Sequence, residues 1–177
     1  GFEGVDSRPF GQKWVVDLAK RKPGVVKWQT LGAPESDGYD LYEKWPWGDN
    51  STSEIYCCHF YEHLNQCGRV FFLNEMYRIL IPGGKVSLIV PHWNSMRAYG
   101  DLSHEWPPVS EFHPYYFSRE WRKQNCPHND FLNIDFDCTW GYGLDPQVTQ
   151  KSSDFQQWAM QWFREAIKDV HFTMTKK

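Results

Sequence analysis

Three histidines and one glutamate carry the clearest chemical potential in this chain. His59, Glu62 and His63 fall within HFYEH, and His104 within GDLSHEW. An imidazole titrates near neutral pH and can remove a proton from an acceptor, so each of the three is a candidate general base. The H-x-x-E-H spacing has a second reading, in which two histidines one helical turn apart bind zinc beside a glutamate base. That arrangement needs a regular helix and a third ligand. EIYCC, directly before His59, reads instead as a buried strand, so a zinc hydrolase is the weaker reading and no metal ligands are assigned. Cys58 beside His59 offers a thiol next to a base, but strand neighbours point to opposite faces. Asp6 ends the apolar FEGVD, where an acid can accept both hydroxyls of a ribose or cap a turn through Ser7 and Arg8.

These residues need a scaffold, and 177 residues suffice for one domain over 1–177 with a real core. The formal charge of −3 supplies no basic field, which argues against a nucleic-acid binder. Five cysteines without a CxxC pair suit a reducing cytoplasm. No apolar run approaches the roughly 18 residues that span a bilayer, and no leader pattern opens at Gly1, so a cytoplasmic protein without a membrane partner is expected. Aromatic residues make up 18% of the chain, which fits either a lined pocket or bulk packing. Trp45-Pro46-Trp47 shields a ligand or packs on the sheet edge.

Strands are expected at residues 2–6 and at EIYCC. Phe72, Met76, Ile79 and Leu80 share one helical face, so a helix is expected over residues 69–80. PGG at 82–84 stops that helix, and KVSLIV follows as an interior parallel strand too apolar for a wet face. Strand, helix and strand form a right-handed crossover. Residues 11–31 fit helix or strand equally. Residues 92–114 read as a long loop over the carboxyl end of the strand. A short helix at 115–123 is capped by Ser118, a period of two marks 131–140, and a helix at 153–167 precedes a final strand, DVHFTMTK. In such α/β sheets ligands sit beyond the carboxyl ends of the strands, where Asp6, His59 and Pro91-His92-Trp93 fall.

GFEGVD, DLYEKWPWGDNSTSEIYCCHFYEHL and FLNEMYRILIPGGKVSLIVP, in that order, resemble class I S-adenosylmethionine-dependent methyltransferases of the type-11-like group; NSMRAYGDLSHEW and FHPYYFS extend the likeness. The resemblance implies a Rossmann-like α/β sheet, mostly parallel, with an antiparallel C-terminal strand. It implies S-adenosylmethionine as cofactor, held by Gly4, Asp6 and Ser7 at the ribose and by Asp40 with Leu41 at the adenine. Asp17-Leu18 is a competing match for that pair. Cys58, His59 and Phe60 fall at the methionine moiety, and His59, His63 or His104 acts as base. Glu62, His92 and Trp93 face the acceptor, an O or N nucleophile on a small molecule or glycan. In that family a first strand and a glycine-rich loop precede the G-V-D strand, and nothing precedes Gly1 here, so an N-terminally truncated sheet is expected. Its open edge is expected to be covered by another segment, through a homodimer or a rearranged sheet. The rival expectation is a catalytically degenerate module of this fold that binds a partner.

Overall fold

Asn65 caps helix α1 (Gln66–Ile79) by accepting from the Gly68 N–H at 2.9 Å. As the spacing predicts, Phe72, Met76 and Ile79 are buried on one face. The computed structural model describes the backbone of residues 13–15, 25–29 and 38–40, and residues 44–129 and 131–177 in full.

The helix does not stop at PGG. It ends at Ile79, and strand β5 (Leu80–Pro91) begins at the next residue. Strand β4 (Thr52–Cys58) pairs Thr52 with Leu80 and then Glu54 with Lys85, so PGG forms a bulge within the strand rather than a separate hinge. Both glycines are required there. Gly83 has φ of 77°, and a Cβ on Gly84 would lie 2.8 Å from the Ile81 carbonyl oxygen and 2.9 Å from Leu80 Cδ2.

Among the described residues the main sheet has five strands in the order β2-β4-β5-β7-β6, with β2 at Val25–Gln29, β6 at Phe136–Leu144 and β7 at Ile167–Lys176. β2, β4 and β5 are parallel, and β7 runs antiparallel to both β5 and β6. β7 is therefore the single reversed strand of this sheet, as the sequence led us to expect. Residues 25–29, left open between helix and strand, pair with Glu54–Cys58 of β4. That edge of β4 is thus paired within the same chain, by β2. β1 (Lys13–Val15) and β3 (Gly38–Asp40) form a separate two-stranded antiparallel sheet. The strand expected at residues 2–6 lies outside the described residues.

Ile55 and Cys57 of β4, Val86, Leu88 and Val90 of β5, and Phe172 and Met174 of β7 build the core with α1. Lys85 and Ser87 are exposed, so β5 has a wet face after all over its first half. Trp45 is buried edge-to-face on Phe72, with ring centroids 5.4 Å apart, which makes Trp45-Pro46-Trp47 packing rather than a ligand shield.

The expected helix at 115–123 is two helices, α3 (His113–Phe117) and α4 (Arg119–Asn125), because Ser118 is extended (ψ of 123°) and caps α4 through the Trp121 N–H. The period of two is real for Leu132, Ile134 and Phe136, all buried, but the ladder itself runs from Phe136 to Leu144. Helix α5 (Ser153–Trp162) ends earlier than expected. Ala159 and Ala166 are buried while Trp158 and Trp162 are exposed, so most of its anticipated core face meets solvent. Val170, Phe172 and Met174 alternate inward along β7 as predicted.

Candidate functional site

β4 delivers His59 to the rim of the sheet. Its N–H still donates to the Ile89 carbonyl of β5 at 2.9 Å, but its φ of 49° turns the chain sharply out of the strand. A non-glycine residue in this conformation costs on the order of 1–3 kcal/mol and is found preferentially at functional sites. A single 3-10 turn, Tyr61–His63, follows. His59 and His63 therefore do not share a helical face, and the zinc arrangement read from H-x-x-E-H is not formed by that pair.

His59, Glu62 and His63 face a cavity of about 760 Å³ at the carboxyl end of the parallel strands. Pro91 at the end of β5 forms one wall. The loop expected over this end does cover it, and contributes Arg97, Gly100, Asp101, Leu102 and His104, the first two from the short helix α2 (Arg97–Gly100). A volume of this size accommodates a metabolite-sized ligand.

The electrostatics separate the histidines. His59 Nδ1 lies 3.3 Å from Glu62 Oε1, and its Nε2 lies 3.8 Å from Asp169 Oδ1 on β7. Pairing with Glu62, helped by Asp169, raises the His59 pKa against burial and Arg97. Burial lowers the pKa of His63 and so favours its neutral form. His63 Nδ1 is 2.9 Å from Ser103 Oγ, and Asp101 Oδ1 accepts from both the Ser103 hydroxyl (2.6 Å) and its N–H (2.8 Å). Those bonds lower the Asp101 pKa. The His63 and His104 rings meet edge-on at 4.6 Å. Arg97 pairs with Asp169 at 3.1 Å. Burial raises the Cys58 thiol, so it is not a thiolate nucleophile near neutrality.

The structure thus gathers His59, Glu62, His63 and His104 in one cavity. Among the described residues, Phe60, His92 and Trp93 do not line it. Phe60 is fully buried in the core, 5.3 Å from Phe72 between ring centroids. His92 is buried beneath the loop with Nε2 3.0 Å from Glu111 Oε2, and the Trp93 indole donates to the same oxygen at 3.2 Å. These two form a structural cluster beside Val109, to which His92 bridges. Asp40 ends β3, in the small sheet rather than the main one. Gly4, Asp6, Ser7, Asp17, Leu18 and Leu41 lie outside the described residues. Arg97, Asp101, Ser103 and Asp169 escaped sequence reading: 72 residues separate Arg97 from Asp169, and no local pattern announces the pair.

No protein-family model matches the sequence, and no curated protein does either. Solved structures do. A SAM-dependent methyltransferase from Archaeoglobus fulgidus superposes with a TM-score of 0.51 at 15% identity, covering 73% of this chain and 62% of its own. The fold is that of a SAM-dependent methyltransferase. A chain of the complex between the Haloferax volcanii Trm112 methyltransferase activator and a methyltransferase follows, with a TM-score of 0.47 at 16% identity over 78% of this chain and 58% of that one. An S-adenosylmethionine-dependent methyltransferase from Mesorhizobium loti gives a TM-score of 0.42 at 13% identity, over 78% and 67%. The chain spans about three fifths of the first two. Among the described residues, no helix is long and apolar enough to cross a membrane.

Proposed function

We propose that this methyltransferase fold transfers a methyl group from S-adenosylmethionine to an O or N nucleophile on a small molecule or glycan. One observation carries the reading: an ionisable cluster faces a cavity at the carboxyl end of β4 and β5, where α/β sheets of this kind take their ligands. The described part of that site suits the methionine half of the cofactor. Arg97 offers a cation to a carboxylate, Asp169 an anion to an ammonium, and Cys58 with His59 ends the strand beside them. When bound, S-adenosylmethionine supplies a methyl group activated by its sulfonium.

What the chain itself supplies is alignment and a proton acceptor. Alignment alone is worth up to about 7–11 kcal/mol in favourable cases. His59 is the base the geometry favours. Its side chain is 38% exposed toward the cavity, and Glu62 and Asp169 stabilise the imidazolium formed when it takes the acceptor's proton. His63 and His104 sit deeper, fixed by Ser103 and by the Ala98 carbonyl.

The test is calorimetric titration of the full-length protein with S-adenosylhomocysteine. Saturable binding that weakens in Arg97→Ala supports the reading, and absence of binding defeats it. A second reading, a non-catalytic binding module of the same fold, draws on the exposed ring cluster of Phe112, Tyr115 and Trp140 around Trp121. Binding of the cofactor product without methyl transfer to any acceptor panel would favour it.

A further inference from the structure

The methyl-transfer role accounts for only one oxygen of Glu62. Its side chain is 6% exposed, Oε1 has only the 3.3 Å approach of His59 Nδ1, and Oε2 is buried with no partner among the described residues. A buried carboxylate in that condition is costly, and such a group in a folded protein calls for a missing partner. His59 approaches only Oε1.

The two histidines beside it are prepared in a specific way. The Ser103 hydroxyl proton is committed to Asp101, a carboxylate that only accepts, so Ser103 Oγ accepts from His63 Nδ1–H. The Ala98 carbonyl can only accept, so His104 Nδ1 carries the proton in its 3.3 Å contact. Both rings are therefore held in the tautomer that leaves the Nε2 lone pair unprotonated. One ligating atom each from Glu62, His63 and His104 lies within 4.8 Å of the others. Tetrahedral zinc with bonds of about 2.0–2.2 Å holds its donors roughly 3.3–3.6 Å apart, so the three donors must close by up to about 1.2–1.5 Å through side-chain rotation. Histidines locked by a carbonyl and by a hydroxyl–carboxylate relay are the support that metal-ligating imidazoles ordinarily have.

We infer that Glu62, His63 and His104 form a binding site for a divalent first-row transition cation, with Zn2+ suited to this two-nitrogen, one-carboxylate set. It differs from the H-x-x-E-H reading in its ligands: His104 from the covering loop replaces His59, and Glu62 ligates. The open coordination positions face the cavity, where an oxygen of an acceptor hydroxyl would complete the sphere. That last point rests on the methyl-transfer reading; cation binding does not.

The test is titration of the chelator-treated full-length protein with Zn2+, alongside Co2+ as a spectroscopic probe. One Zn2+ per chain is expected, with Co2+ giving the visible absorption of a low-coordinate nitrogen–oxygen site. Glu62→Gln and His104→Gln should each weaken Zn2+ at least about 100-fold, Ser103→Ala by about 10–100-fold through loss of ring support, and the exposed His128→Gln not at all. If Glu62→Gln misfolds, His104→Gln and Ser103→Ala, both in the loop, decide. No stoichiometric Zn2+, or affinity unchanged in these two variants, overturns the inference. S-adenosylhomocysteine titrated into the metal-free protein separates the outcomes: cofactor binding without Zn2+ binding removes only the metal site, and the converse removes only the methyl-transfer reading.

Discussion

Arg69 of α1 donates from Nη1 to the Pro107 carbonyl at 2.6 Å, tying the helix to the loop that roofs the cavity. Its Nη2 reaches the carbonyls of Glu105 (3.0 Å) and Glu62 (3.4 Å), so one guanidinium joins both walls of the site. Arg69→Met removes the guanidinium from the Pro107 and Glu105 carbonyls, while the Glu62 carbonyl keeps the Glu105 N–H at 2.9 Å. The expected cost is about 2–4 kcal/mol, a fall in Tm of roughly 5–15 °C, together with faster proteolysis within residues 92–114. An unchanged melt and digest would show that the clamp holds nothing.

His59 should titrate above the ordinary histidine value of 6.5, because its pairing with Glu62 favours the imidazolium. The sign is definite: the associated stability is present below about pH 6.5 and is lost as pH rises through the folded pKa. Glu62→Gln should bring that pKa down. NMR titration of the His59 ring reads this directly. As a general base His59 must be unprotonated, so methyl transfer should rise with pH through the same pKa, and His59→Ala should lower the rate by about 10²–10⁴-fold.

His113 behaves oppositely. Burial, with Arg69 adding, lowers its pKa to about 4, and its Nδ1 accepts from the Ser110 N–H at 3.2 Å. The folded state therefore resists a proton that the unfolded chain takes up below about pH 6.5. Stability should fall by roughly 2–3 kcal/mol as pH drops from about 6.5 to about 4. His113→Asn keeps an acceptor and should flatten that part of the profile in urea melts at several pH values.

Gly84→Ala should destabilise more than Gly83→Ala. The first pushes a methyl to 2.8 Å from a backbone oxygen, for an expected 1–3 kcal/mol or so. The second meets open space and incurs only the left-handed φ of 77°, about 1 kcal/mol. Urea midpoints of the two variants order them.

The parts of the fold readable in the sequence were those where one physical signal dominates. The 3.6-residue spacing of Phe72, Met76 and Ile79 and the alternation of Val170, Phe172 and Met174 each report burial on a single face. Ends were less readable: PGG looks like a stop, but whether it breaks a helix or bulges a strand depends on Ser53 and Leu80 packing against Gly84. α5 misled because Trp158 and Trp162 carry the periodicity of a core face yet are exposed, Trp158 packing on Phe163 of the same segment. At the site, His59, Glu62, His63 and His104 were visible as residue types. Their grouping was not, since it follows from the positive φ at His59 and from Ser103 and Asp101 locking a ring 40 residues away in sequence. Phe60, His92 and Trp93 illustrate the reverse error, residues near a strand end whose side chains turn into the core or toward Glu111 instead.

Asp169 meets His59 only because β7 pairs with β5, placing Asp169 opposite Pro91. During synthesis, 110 residues separate the two, an interval of roughly 5–20 s at about 5–20 residues per second. β5 is complete at Pro91, and from then until Asp169 is made, roughly 4–16 s at that rate, it offers an unpaired edge to any neighbouring chain. The rim that holds the candidate base is thus completed only once β7 is made, and β5 stays open to mispairing until that base acquires its second carboxylate.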